Sequence, residues 1–155
     1  MKTTLLLPLL LPLLTIPLAS ATIPTLATGS FTASFTVLSI TSSDGNTVIT
    51  VSETATLTGP FTGTRTAVGF EIVHPDGTFN AHDTGTFTGT VNGASGTLVI
   101  TGDSTGLGAT GSGQFTVGQG TAALEGFHAQ GPFQFIATGP TTTSGTYSVQ
   151  LHSEP

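Results

Sequence analysis

Apolar and polar residues alternate along most of the chain from about residue 30 onward. Between Phe31 and Val37 every second residue is Phe, Ala or Val, and the intervening residues are Thr or Ser. The alternation returns between Phe127 and Phe135, with Phe, Ala and Gly on one side and His, Gln and Pro on the other. Because successive side chains of a strand point to opposite faces, this pattern predicts half-buried β-strands. No segment shows a helical period, so the sequence predicts an all-β domain.

Turn signals divide this pattern into eight predicted strands. Gly, Pro, Asn and Asp accumulate at residues 43–46, 59–60, 74–77, 92–96, 118–120 and 139–145, and these residues favour turns. Gly118 and Gly120 are expected to supply the positive φ of a tight turn. Residues 102–111, rich in Gly and Thr, are interpreted as a loop that holds at most a short extended piece.

A short motif, Gly followed by any residue and then Phe, recurs along the chain. It begins at Gly29, Gly59, Gly85, Gly113 and Gly131. Gly and Phe two residues apart share a strand face, and a Gly covered by a neighbouring aromatic ring lets a strand bend. The repeat therefore favours a sheet that closes into a barrel over an open sandwich.

The first 21 residues are predicted to be a secretory signal peptide. Lys2 precedes an apolar run up to Leu18, and Ala19-Ser20-Ala21 resembles a signal-peptidase site. A transmembrane helix is the weaker alternative, because the run is shorter than the ~20 apolar residues of a span and contains prolines. The sequence thus predicts a secreted, extracellular protein, with a leader at residues 22–29 and one barrel domain at residues 30–155.

Charge excludes two classes of partner. The chain has 2 basic and 8 acidic residues, and removal of Lys2 with the signal peptide leaves Arg65 as the only Lys or Arg. Nucleic acids and anionic membranes are bound through several basic residues, so neither is expected as a partner of the mature chain. The chain has no cysteine, so its stability must come from the core and the sheet.

Several motifs resemble one bacterial family. They are H-P-D-G-T from His74, G-T-V-N-G-A-S-G-T-L-V-I from Gly89 and G-T-A-A-L-E-G-F-H-A-Q-G-P-F from Gly120. Together they resemble the family called domain of unknown function 3224. The last motif is also similar to a segment of allene oxide cyclase and of dirigent proteins, although Ala122 stands where those sequences usually have Gly.

The resemblance covers residues 31–151 and implies a fold more than a reaction. It implies an eight-stranded antiparallel, calycin-like barrel of the allene oxide cyclase type. In the better-known relatives such a barrel holds a small apolar molecule, so a similar ligand is expected here. No catalytic residue carries over by a motif match, and no cofactor is implied.

Glu53 is the most informative candidate site residue, because its strand neighbours Val51 and Ala55 are apolar. A two-residue turn at Gly59-Pro60 would place Glu53 on the same face as Thr66, Val68, Phe70 and Ile72. A two-residue turn at Pro75-Asp76 would then add Phe79, Asp83 and Phe87 to that face. Under this register Glu53 and Asp83 enter the barrel, where two carboxylates raise each other's pKa and could act as acid and base. The alternative is that they meet water near the barrel mouth.

Arg65 is an alternative candidate for the central residue of the site. The Gly and Phe repeat would send Phe61 inward and Arg65 and Glu71 with it, unless a bulge near Gly63 exchanges the faces. Inside the barrel, Arg65 could hold a ligand carboxylate through two hydrogen bonds. Outside, it would be a surface charge beside Glu71.

The remaining candidates have supporting roles. Phe70, Phe87 and Tyr147 are expected to line a ligand site, and Tyr147 is also expected to pack in the core with its hydroxyl hydrogen-bonded. His82 and Asp83, adjacent in a strand, should point to opposite faces. The histidines lack metal-ligand spacing, so no metal site is predicted.

Three functions are compatible with these observations. The first is binding of a small apolar or weakly polar molecule in the barrel. The second is a cyclase or isomerase, in which Glu53 or Asp83 moves a proton. The third is a filled barrel that acts as a surface or interaction protein through its Thr-rich outer face; homo-oligomerisation stays open. An enclosed pocket of roughly 300 Å³ or more would favour the first two.

Overall fold

A computed structural model describes residues 25–153, which form eight long strands and one short 3₁₀ turn. The turn covers Ala122–Leu124. The strands are β1 Thr25–Ser43, β2 Asn46–Thr58, β3 Phe61–Val73, β4 Thr78–Val91, β5 Ala94–Leu107, β6 Thr110–Gly120, β7 Phe127–Gly139 and β8 Thr142–Ser153. Within these residues no helix is long and apolar enough to cross a membrane.

The eight strands form a closed antiparallel barrel. Each strand pairs with the next in the sequence, and β1 pairs with β8 from Thr25 opposite Leu151 to Ser34 opposite Thr142. The last pairing leaves the ring without an open gap between its first and last strands. The all-β, eight-stranded barrel predicted from the sequence is confirmed.

The inner face of the barrel is filled with apolar side chains towards the end where β2 turns into β3. Phe61 lies at the centre of this packed half, with its ring centroid 5.5 Å from that of Phe87 and 5.9 Å from that of Tyr147. Both pairs meet edge to face, the arrangement that aromatic quadrupoles favour. The largest fully buried side chains are Phe61, Phe87, Leu98, Leu124 and Val149.

Glycines and aromatic rings meet across neighbouring strands. Gly145 pairs with Phe31 of β1, and a Cβ atom at this glycine would collide with the Phe31 ring. Gly113 pairs with Phe133, whose ring takes the space of the missing Cβ in the same way. The aromatic residues thus cover positions where the sheet has no side chain, as the Gly and Phe repeat predicted.

The predicted loop at residues 102–111 is wrong. β5 continues to Leu107 and β6 begins at Thr110, so that only two residues connect the strands. The glycines here do not break the sheet, because Gly106 and Gly111 pair with each other and the ring of Phe79 lies over both.

Two further details at strand ends differ from the sequence analysis. β1 begins at Thr25, inside the predicted leader, because residues 25–29 pair with β8. Gly118 and Gly120 do not have the predicted positive φ and lie within β6; the connection to β7 instead uses Ala122 (φ 57°) and Gly126 (φ 71°). The predicted signal peptide lies outside the described residues.

The predicted register between β2 and β3 is wrong by one residue. Leu57 pairs with Gly63 and Ala55 with Arg65, so the connection is one residue longer than a two-residue turn at Gly59-Pro60. The longer connection carries Phe61 into the core, where its side chain is 1% exposed. Burial of this large ring decides the register, and it sends Arg65 inward with Phe61.

The connection between β3 and β4 is also one residue longer than predicted. The backbone N–H of Gly77 donates to the His74 carbonyl oxygen at 2.9 Å, and Gly77 has a φ of 83°. This is a three-residue hairpin loop with a bulge at its last residue. The two register errors cancel at β4, so Asp83 points inward as predicted. In β3, which lies between the two connections, the inner and outer faces are the reverse of those predicted. Its outward residues are therefore Thr66, Val68, Phe70 and Ile72.

Candidate functional site

Three charged side chains meet inside the barrel near the middle of β2, β3 and β4. Arg65 lies opposite Ala55 of β2, so Glu53 is its diagonal neighbour on the inner face. Asp83 of β4, which pairs with Gly69 of β3, faces the same space. The site thus combines the two carboxylates and the arginine that the sequence analysis treated as alternatives. We call Glu53, Arg65 and Asp83 the charged triad.

Arg65 is the centre of the triad and is 8% exposed. Its Nη1 donates to Glu53 Oε1 at 2.6 Å, and its Nη2 donates to Asp83 Oδ1. Nη2 also donates to the carbonyl oxygen of Ile100 at 3.2 Å. Nε is enclosed and has no hydrogen-bond partner within residues 25–153. A buried guanidinium is stabilised by such charged partners, which also hold it in one orientation.

A glycine on β5 makes room for the Asp83 carboxylate. Asp83 pairs with Gly102, and a Cβ atom at Gly102 would lie 3.2 Å from Asp83 Oδ2. Any larger residue at position 102 would therefore press on the carboxylate that Arg65 binds. Neither Gly102 nor the Ile100 carbonyl was predicted as part of the site, because their roles depend on the β4–β5 register.

Burial raises the pKa of Glu53 above its ordinary value. Loss of hydration is the largest cause; the Arg65 guanidinium opposes it, and the nearby Asp83 carboxylate adds to it. Glu71, on the inner face of β3 closer to the β3–β4 turn, also has a raised pKa, and burial is the cause. The barrel interior therefore carries three carboxylates and one guanidinium.

A cavity of about 100 Å³ lies against the charged triad. Its other walls are apolar and mostly aromatic, and include Phe31, Leu57, Phe61, Phe115, Phe133 and Tyr147. A wider depression of about 1140 Å³ opens to solvent beside it, and Phe31 lines both. The cavity is smaller than the roughly 300 Å³ that we set as the mark of a ligand pocket, so by that criterion alone the barrel resembles a filled one.

The other predicted site residues are distributed differently. Tyr147 lines the cavity, donates its hydroxyl hydrogen to the Thr58 carbonyl at 3.0 Å and accepts from Phe61 N–H at 3.3 Å, as predicted for a core tyrosine. Phe87 is fully buried beneath Phe61 and does not line the cavity. Phe70 is 42% exposed on the outer face, because the β2–β3 register differs from the predicted one.

His82 and Asp83 point to opposite faces, as predicted. His82 lies on the outer surface, where its Nδ1 is 2.7 Å from Asp103 Oδ1 and its ring is 5.9 Å from that of Phe70. In the part of the chain that the structure describes, no three His, Asp or Glu side chains are grouped so that they could hold a metal ion.

Comparison with known proteins identifies a structural relative. A protein of unknown function from Shewanella oneidensis MR-1, from the family called domain of unknown function 3224, superposes with a TM-score of 0.70. The two sequences are 17% identical, and the match covers 86% of this chain and 99% of that one. The fold that the sequence resemblance implied is therefore shared with this protein. No protein-family model and no curated protein matches the chain.

Proposed function

We propose that this protein binds a small, largely apolar molecule in the barrel, against the charged triad. The observation that supports this is the cavity itself, which is lined by aromatic rings on one side and by Glu53, Arg65 and Asp83 on the other. Ligand sites combine apolar walls with a few fixed polar groups in this way. The hydrogen bonds within the charged triad hold these polar groups in one orientation.

The size of the cavity limits the part of the ligand that it encloses. An apolar cavity of about 150 Å³ in another protein binds benzene, so a space of about 100 Å³ encloses a short branched chain or part of a single ring. A larger ligand would extend into the open depression that shares Phe31 with the cavity. The ligand is thus expected to be small, or to be held by one end.

Toluene and benzyl alcohol are suitable probes for this proposal. We expect either to shift amide resonances of cavity residues such as Ala55 and Ile100 in a saturable NMR titration. Ala55→Leu would fill the cavity from a position that is 3% exposed and should abolish the shifts. Thr56→Leu, at the next position and on the outer face, is the matched control and should retain them. Absence of binding to the unmodified protein would favour the filled barrel with a functional Thr-rich outer face.

An enzymatic role is a second candidate, and Glu53 is the observation that favours it. A carboxyl group with a raised pKa in an apolar wall is suited to transfer a proton to or from a bound molecule. If the barrel is a cyclase or isomerase, Glu53→Gln should abolish turnover of a bound substrate while binding persists. If Glu53→Gln loses binding and neither the variant nor the unmodified protein shows turnover, the binding function alone would be favoured.

We also propose that the protein is secreted after cleavage between Ala21 and Thr22. The support is the sequence pattern of Lys2, the apolar run and Ala19-Ser20-Ala21. Intact-mass measurement of protein from culture medium should give a chain that begins at Thr22. Recovery of a chain that retains Met1 would contradict the proposal.

A further inference from the structure

We infer that the ligand of the barrel is a cation: an apolar group that carries a protonated amine. This inference rests on the proposed binding function and gives the chemical class of its ligand. It follows from which hydrogen-bonding atoms of the charged triad are already used, from the charge of the interior and from the nature of the walls.

Four of the five N–H groups of Arg65 are already used or enclosed. Arg65 Nη1 and Nη2 donate to Glu53, Asp83 and the Ile100 carbonyl. Its Nε is enclosed by protein atoms. One N–H of Nη1 is left, so a ligand carboxylate could accept one hydrogen bond from Arg65, and a second only by displacing Glu53 or Asp83. The arginine therefore organises the site rather than recognising an anionic ligand.

The hydrogen-bond acceptors of the triad are not all used. Each carboxylate receives Arg65 through one oxygen, Glu53 Oε1 or Asp83 Oδ1. Within residues 25–153, no hydrogen bond reaches Glu53 Oε2 or Asp83 Oδ2. Asp83 is also the most accessible member, with a side chain that is 30% exposed. The site thus offers acceptors to a ligand, and a ligand that donates hydrogen bonds matches it.

The charge of the interior points to the same class. Glu53, Asp83 and Glu71 face inward, and Arg65 is the only Lys or Arg in the described residues. With all four groups ionised, the interior carries an excess of negative charge, which attracts a cation and disfavours an anion. Coulomb forces act more strongly here than in bulk water, because the side chains of Arg65 and Glu53 are largely buried.

The aromatic walls are compatible with a cation as well. Phe31, Phe61 and Phe133 line the cavity, and the face of an aromatic ring attracts a cation through its quadrupole. The same rings provide apolar surface for the rest of the ligand. An amine with one ring or a short apolar chain therefore matches every wall of the cavity.

Four probes of nearly equal size separate the charge inference from binding itself: benzylamine, benzyl alcohol, toluene and benzoate. At neutral pH we expect benzylamine to bind about tenfold more tightly than benzyl alcohol or toluene, because it gains a charged hydrogen bond. Benzoate should bind most weakly. Equal affinities for benzylamine, benzyl alcohol and toluene would leave the binding function standing and overturn the charge inference. Tightest binding of benzoate would overturn it too and make Arg65 the recognition group. If none of the four binds, both proposals fail.

Asp83→Asn tests the inference within the protein. This variant should reduce the affinity for benzylamine about tenfold, since it removes the accessible charge, and should reduce the affinity for toluene much less. Retained toluene binding also shows that the variant is folded. Asp103→Asn is the matched control, because Asp103 lies on the outer face and pairs with His82; it should alter neither affinity. An Asp83→Asn variant that binds benzylamine normally overturns the inference. Should Asp83→Asn fail to fold, Glu53→Gln replaces it with the same expected and overturning results.

Discussion

Arg65 Nη1 lies 2.6 Å from Glu53 Oε1, although their positions are offset by two residues across the β2–β3 ladder. The guanidinium reaches diagonally over the inner face and meets Asp83 from the next strand as well. Because it also binds the Ile100 carbonyl of β5, one basic side chain joins four consecutive strands from within. Because ion pairs in a poorly hydrated interior are costly to break, this contact dominates the expected effects of substitutions in the site.

Removal of Arg65 should be strongly destabilising. Arg65→Met leaves Glu53 and Asp83 without their partner, and loss of one member of a buried ion pair costs about 3–5 kcal/mol. We expect this loss in the free energy of unfolding, measured with urea at neutral pH. The variant Arg65→Met, Glu53→Gln, Asp83→Asn should recover much of the stability, because it leaves no charge unpaired. If Arg65→Met alone is as stable as the unmodified protein, our description of the charged triad is contradicted.

Glu71 should make the protein less stable at neutral pH than in mild acid. Its folded-state pKa is raised by burial above the ordinary value of about 4.3, so the folded state binds the proton more tightly than the unfolded state does. Its destabilising effect is therefore full above the folded pKa, disappears as the pH falls towards the ordinary value and is absent below it.

Glu71→Gln isolates this effect, since it removes the charge while Glu53 continues to titrate. The variant should be more stable than the unmodified protein at neutral pH and equally stable in acid, by chemical denaturation across that pH range. Glu125→Gln, at an exposed carboxylate, provides the control and should show no such trend. A stability difference for Glu71→Gln that is independent of pH would refute the assignment.

The hydroxyl of Tyr147 should contribute measurably to stability. Tyr147→Phe leaves the buried N–H of Phe61 without its partner, and an unsatisfied buried group costs about 1–3 kcal/mol. Thr84→Val removes a hydroxyl that meets Thr101 on the exposed outer face and should change stability little. Equal effects of the two variants in urea denaturation would argue against the buried hydrogen bond.

Glycines beneath aromatic rings should not tolerate a side chain. Gly145→Ala would place a methyl group against the Phe31 ring and the Gln134 carbonyl, and such overpacking costs about 1–3 kcal/mol. Gly118 has open space where its Cβ would lie and no positive φ, so Gly118→Ala should be neutral or slightly stabilising. Thermal unfolding of the two variants compares them directly, and a Gly145→Ala variant with unchanged stability would exclude the proposed packing.

The sequence predicted the barrel because nearly every strand keeps its alternation of apolar and polar residues. It predicted that Glu53 and Asp83 enter the barrel, but it treated Arg65 as an alternative to them. The reason is that alternation assigns faces within one strand, whereas the relation between strands depends on the number of residues in each turn. The residue types at Gly59-Pro60 and Pro75-Asp76 do not determine the number of residues in the turn. The extended glycine-rich residues 102–111 were missed because their partner rings belong to other strands.

The longer connections before and after β3 make turn length in this barrel behave like a reading frame. Loss of one residue at positions 59–61 would bring the outer residues of β3, Val68 and Phe70 among them, to the inside and expel Arg65. A second loss at positions 75–77 would restore the phase of β4 while β3 stayed inverted. Single-residue insertions and deletions at these turns should therefore survive in nature only when a bulge or a second change nearby suppresses them.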